Sequence, residues 1–237
     1  MLALVGSGEY LSAMEPVDSE LISRLPEPPR VVCLPTAAGK EGPGRIDYWS
    51  CLGVEHFTGL KANVEALPVI DRASANDKVF AGTIANANVV YLSGGKPNYL
   101  YDTLKGSLVW DAVLSVLDKG GLLAGCSAGA MVLGEKFFGF PGLKTGFNFL
   151  PGVTIIPHYD EIPTYVIKSV KTLVGSNLTV LGIEGNTVLV CSGEQYEVLG
   201  SGGVVVWNRA GKIRYTEGSL PPDVLMGSGM HNGINQG

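Results

Sequence analysis

Charge is scarce in this chain, and basic charge is scarcer still. Only 16% of the 237 residues are charged, with 17 Lys and Arg against 22 Asp and Glu and a formal net charge of -5. No Lys/Arg cluster marks a nucleic-acid footprint, so no nucleic-acid partner is expected. No apolar run approaches the ~20 residues that cross a bilayer, which excludes a membrane-spanning helix. The opening MLALVGSGEYLSAME carries no Lys or Arg before its short apolar run and does not read as a secretory signal. The 4 cysteines, Cys33, Cys51, Cys126 and Cys191, form no C-x-x-C pair. They read as reduced thiols of a cytoplasmic protein, not as a disulfide frame or a zinc site, and no metal or cofactor is expected.

Apolar residues and glycine are plentiful. Hydrophobic residues make up 46% of the chain, enough for a large core and too many for a disordered chain. The 33 glycines are roughly 14% of the residues, about twice average usage, and they cluster at the ends of apolar runs without a G-X-Y period. Candidate strands are 2–5, 31–34, 65–69, 89–92, 122–125, 153–156, 180–183 and 187–191. Helical patterns alternate with them, most clearly over 108–119, where Val109, Val113 and Val116 share a face. Ser107 is placed to cap that helix and Gly120 to end it. The pattern predicts an α/β fold: a mostly parallel sheet flanked by helices on both faces. The runs 188–191, 196–199, 204–207 and 212–215, separated by turn signals, predict an antiparallel C-terminal strand extension at one sheet edge. One domain is expected over 1–222, followed by a frayed tail over 223–237.

The chemistry concentrates in Gly125-Cys126-Ser127-Ala128-Gly129, a G-x-S-x-G run between an apolar strand and a helical pattern. In that context the serine sits on a sharp strand-to-helix turn with its hydroxyl projecting from the sheet. Such a serine needs a base, and the chain has 3 histidines: His56, His158 and His231. His231 lies in the tail, and His56 lies in an alternating stretch that reads as a half-buried strand. His158 follows the apolar run 153–156, at a strand's carboxyl end, where sites of open α/β sheets gather. For an orienting acid, Glu135, Asp160 and Glu184 are available; the strand-end position favours Glu184. Ser93-Gly94-Gly95-Lys96 closes another strand with adjacent glycines whose N–H groups could face a carbonyl oxygen. Gly6-Ser7-Gly8-Glu9 lacks the third glycine of a dinucleotide loop. The segment 136–152 interleaves glycines with phenylalanines, and its length predicts a partly mobile flap beside the elbow.

Five segments in this order (GSGE at the first strand, SGGKPNYL, GCSAGAM, IIPHYD and GIEGNTVLV) resemble the serine-peptidase family of dipeptidase E and cyanophycinase, with its class I glutamine amidotransferase-like fold. The resemblance implies Ser127 as nucleophile, His158 as base, and Gly95 and Ala128 as oxyanion donors with Gly94 beside them. It points to Glu184 as the triad acid, with Asp160 in reserve. It implies a serine hydrolase that cuts a small peptide or isopeptide substrate. Two other readings stand beside it: an amidotransferase-like amidase using Cys126, and a silent binding protein that kept the fold. An esterase of the α/β-hydrolase type would need a credible late histidine, and only His231 is available. Aspartyl dipeptidases of this family are expected to hold the substrate's acidic side chain with an arginine, and 158–208 contains none. Lys168 and Lys171 are the cations there, and Tyr159 and Tyr165 suit a less acidic residue, so no preference for N-terminal Asp is expected.

Overall fold

The computed structural model describes residues 1–139, 141–175 and 177–225. In chain order the strands are β1 (Leu2–Val5), β2 (Arg30–Leu34), β3 (Asn63–Ala66), β4 (Val89–Leu92), β5 (Leu122–Cys126), β6 (Gly134–Phe138) and β7 (Leu143–Thr145). There follow β8 (Leu150–Ile156), β9 (Thr179–Ile183), β10 (Thr187–Ser192), β11 (Gln195–Gly200), β12 (Val204–Trp207), β13 (Lys212–Tyr215) and β14 (Gly218–Leu220). The α-helices are α1 (Glu15–Ser23), α2 (Pro43–Gly59), α3 (Lys78–Ala85), α4 (Pro97–Leu104), α5 (Leu108–Asp118), α6 (Ala128–Met131) and α7 (Thr164–Val174).

Successive strand residues point to opposite faces, and here both faces are apolar. Ala3, Val5, Val31, Cys33, Val89 and Tyr91 face one core, with Val17 and Leu21 of α1 and Phe57 of α2. Leu4, Val32, Leu34, Val90 and Leu92 face the other, with α4 and α5 side chains such as Leu100 and Val113. The helix over α5 follows expectation: the Ser107 hydroxyl accepts from the Trp110 N–H at 3.1 Å, and Gly120 adopts φ 83° just past the end.

The strands form not one sheet but two. Among the described residues an 8-stranded sheet runs β14-β11-β10-β1-β5-β4-β2-β3, and a 6-stranded sheet runs β13-β12-β9-β8-β6-β7. The first is parallel from β3 to β1 and antiparallel beyond; the second is parallel only where β6, β8 and β9 pair. The expected C-terminal extension is therefore divided: β10 and β11 lengthen the first sheet, while β12 pairs onto β9 of the second and β13 onto β12. The turn 200–203 is a crossover between sheets, not a hairpin. Gly200 makes it possible at φ 108°, where an added Cβ would lie 2.2 Å from the Asn186 carbonyl oxygen. The second sheet lends Ile155, Leu181, Ile183 and Val206 to the core shared with α4 and α5, and α7 covers its other face through Ile167 and Val174.

Three local expectations change. His56 lies inside α2, not in a strand, because Ile46, Trp49, Gly53, His56 and Phe57 make a helical stripe longer than the short alternating window around the histidine. It is buried, with Nε2 at 2.8 Å from Asp18 Oδ2. The segment 136–152 is largely strand, not flap. Among its described aromatics, Phe137 is buried and Phe147 stacks on Trp110 with ring centroids 3.6 Å apart. Backbone bonds from Phe147 to Val132 and from Phe149 to Leu133 fasten it further. The expected frayed tail is packed at its start, where Val224 and Leu225 are buried and Thr179 Oγ1 donates to the Leu225 carbonyl. Positions 226–237, His231 among them, lie outside the described residues.

Removing the Phe147 ring should therefore act on stability. We expect Phe147→Ala to lower unfolding free energy by about 2–3 kcal/mol, less than a fully buried Phe because the ring is half-buried, read as a lower urea midpoint at unchanged slope. A flap would give the reverse result, with altered turnover and an unchanged midpoint.

Candidate active site

Parallel pairing brings strand ends to one edge. Val5 lies opposite Cys126 and Leu92 opposite Gly125, so β1, β5 and β4 finish side by side. The second sheet meets the same edge, where the His158 N–H reaches the Gly6 carbonyl at 3.3 Å and the Asn186 N–H reaches the Ser7 carbonyl at 3.2 Å.

At the end of β5 the chain turns sharply into α6. Ser127 sits at φ 50°, ψ -109°, a region non-glycine residues avoid. The flanking glycines are steric requirements: a Cβ on Gly125 would lie 2.6 Å from the Gly129 carbonyl, and one on Gly129 would lie 2.4 Å from the Leu92 oxygen. The turn is pinned by the Ser127 N–H to the Val5 carbonyl at 3.0 Å. His158, also at positive φ, brings Nε2 to 3.2 Å from Ser127 Oγ.

The opposite ring nitrogen meets an unexpected partner. His158 Nδ1 lies 3.3 Å from Glu161 Oε2, one turn further along, with the Glu161 side chain 63% exposed. Glu184 is engaged elsewhere: Arg214 Nε and Nη2 donate to its two carboxylate oxygens, each at 2.6 Å. The expected acid is thus held by Arg214 and not by His158. The guanidinium arrives on β13, through a strand pairing that no local motif around Glu184 announces. Asp160 accepts from the Gly185 N–H at 2.8 Å and so braces the turn after β9.

The glycine pair after β4 has divided roles. The Gly94 N–H donates to Glu9 Oε1 at 3.0 Å, whereas the Gly95 N–H has no acceptor among the described residues. Gly95 holds φ 139° with the Ala37 backbone 2.7 Å from where a Cβ would be. Ala128 opens α6, so its N–H has no intrahelical acceptor. Glu9 itself is buried, and its other oxygen accepts from Cys126 Sγ at 2.9 Å. Burial, with that carboxylate beside it, pushes the Cys126 thiol well above its ordinary value. The alternative nucleophile is thus a protonated side chain facing inward. Sequence reading missed Glu9, Glu161 and Arg214. Glu9, closing the GSGE segment, and Glu161, three residues past His158 in HYDE, were the two with a local signal.

The model of Peptidase family S51 matches residues 2–199. The chain belongs to Peptidase family S51. A crystal structure of a peptidase from an acI-B1 Actinobacterium is similar at 34% identity and TM-score 0.84, over 92% of this chain and 95% of that one. A candidate peptidase E protein from Listeria monocytogenes EGD-e, at 20% identity and TM-score 0.64 over 84% and 98% of the two chains, shares the fold. Among curated proteins no match is found. The protein is a serine peptidase-like hydrolase. No described helix is long and apolar enough to cross a membrane, and no described cluster of three or more His, Cys, Asp or Glu could hold a metal ion.

The thiols give a direct check on this S51 site. Burial pushes Cys33 and Cys191 up to about 12 and Cys126 higher than its usual range, while Cys51 is exposed. Because the thiolate is the reactive form, native protein at pH 8 should expose Cys51 alone to a disulfide reagent, with the other three reacting only on unfolding. Native labelling of Cys126 at the rate of Cys51 would restore it as a nucleophile.

Proposed function

We propose that the protein hydrolyses small peptide or isopeptide substrates through an acyl-enzyme on Ser127. The supporting observation is the 3.2 Å approach of His158 Nε2 to an Oγ held on a positive-φ turn. Ser127 Oγ attacks the scissile carbonyl carbon while His158 Nε2 takes the hydroxyl proton. The carbonyl oxygen becomes an oxyanion that accepts from the N–H groups of Gly95 and Ala128, with Gly94 holding the turn in place. His158 then returns the proton to the departing amine. Water attacks the ester, with His158 again as base, and releases the acid product and Ser127.

Glu161 is the acid we assign to Nδ1, fixing the tautomer that leaves Nε2 free to accept. An exposed carboxylate acts through a high dielectric, so its effect is smaller than that of a buried triad acid. Ser127→Ala should abolish both peptide hydrolysis and labelling by a fluorophosphonate probe. Glu161→Gln should lower kcat by about 10–100-fold, below the ~10⁴ of a buried acid. Glu184→Gln, by contrast, should stay within about threefold of the parent. A crippled Glu184→Gln paired with a normal Glu161→Gln would return the role to Glu184.

The reading of specificity rests on which cations are engaged. Arg214 reaches the turn after β9, and its fork is filled by Glu184. Lys171 Nζ donates to the carbonyls of Leu178 and Trp207, so it ties α7 to the second sheet. Neither offers an open, planar fork to an acidic side chain. Asp-Xaa peptides should accordingly match Ala-Xaa and Leu-Xaa within about tenfold in kcat/KM. A preference above about 100-fold, near 2.7 kcal/mol, would mean that a cation is released to bind the substrate.

A further inference from the structure

Glu9 is the buried titratable group at this edge that the proposed chemistry leaves without a task. It stands in the turn after β1, and β1 and β4 are not neighbours, because β5 lies between them. The Glu9 side chain accepts from Cys126 at the end of β5 and, beyond it, from Gly94 in the turn after β4. The carboxylate lies close against the elbow. A Cβ at Gly94 would be 2.7 Å from Glu9 Oε1 and 3.4 Å from the Ser127 Cβ.

The next residue makes a parallel connection. Tyr10, at φ 63°, is buried and places its hydroxyl 2.9 Å from Ser93 Oγ. One turn therefore grips the 93–95 segment at two consecutive residues. The Gly94 N–H is turned inward to Glu9, and the Gly95 N–H is left as the donor the turn can offer to a substrate. A buried carboxylate without donors is strongly disfavoured, so the pair of hydrogen bonds holds both donor residues in place as firmly as they hold the acid.

We propose that Glu9 is a positioning residue for acyl transfer. It ties the residue before Ser127 to the residue before Gly95, and so fixes the spacing of the two N–H groups that receive the oxyanion. This inference rests on the assignment of Gly95 and Ala128 as those donors. Donors that must be preset before charge develops affect the transition state and not the bound substrate.

The test is Glu9→Gln, read as kcat and KM for a peptide substrate per fluorophosphonate-titrated site, with thermal melting to follow the fold. The amide keeps an acceptor for Gly94 but turns a second donor toward the Cys126 thiol. The expected result is a fall in kcat of about 10–100-fold with KM within twofold. Adding Cys126→Ser, whose hydroxyl accepts more readily than a thiol, should recover most of the loss. Tyr10→Phe removes the second tie and should lower kcat by about three- to tenfold with the same unchanged KM; it carries the test if Glu9→Gln does not fold. A merely structural Glu9 would lower the melting temperature while leaving kcat per titrated site within twofold, and that overturns the proposal. Failure of the parent protein to label or hydrolyse at all would instead remove the Ser127 reading, and this inference with it.

Discussion

A serine at φ 50° is held there against its own preference, and the site depends on whatever holds it. Such a conformation costs of order 1–3 kcal/mol and persists only where the surroundings over-determine it. Here they do. β5 is buried on both faces, its end is bonded to β1, and Gly125 and Gly129 admit the backbone of α6 and β4 at distances no side chain would allow. The strain is borne by the packing of two neighbouring strands. Any loosening of β1 or β4 is thus felt at the Ser127 hydroxyl before it is felt in the fold as a whole.

His158 is presented in the same way by the other sheet. Its own positive φ and its bond to Gly6 make it a bridge from the end of β8 to the end of β1. The nucleophile and the histidine therefore belong to different sheets and meet where β5 and β8 end. Around that seam lie three acidic groups with different partners: Glu161 on the histidine, Glu184 on Arg214 and Asp160 on the Gly185 amide. The Glu184–Arg214 pair is bidentate, yet half-open to water on the arginine side. It contributes at most about 1 kcal/mol to stability. Its larger effect is to remove one carboxylate from competition for the imidazole.

How much of this was legible in the sequence follows from the range of the interactions involved. Ser127, its glycines and the helix cap at Ser107 are decided within five residues, and local pattern was enough to find them. The central strands β1, β2, β4, β5 and β10 were legible because they are buried on both faces and read as continuous apolar runs. His158 stood out by its strand-end position. The partner of Glu184 was not legible, because Arg214 reaches it by the pairing of β13 with β12 and of β12 with β9. The same pairing split the C-terminal meander between sheets. The phenylalanines of 136–152 misled for the opposite reason. Interleaved glycine looks like a mobile loop until Trp110 and Tyr101, distant in sequence, provide the surface on which those rings lie.

The position of β1 has a consequence for how the chain is made. It is synthesised well before its partners β5 and β10, with Leu2 opposite Leu123 on one side and Cys191 on the other. At roughly 5–20 residues per second, the first strand must wait about ten seconds or more for its second neighbour to emerge. Such non-local pairing slows folding, because loop closure precedes any compensating contact. The strand order therefore delays hydrolytic competence in the nascent chain until β10 has followed β5 out of the ribosome.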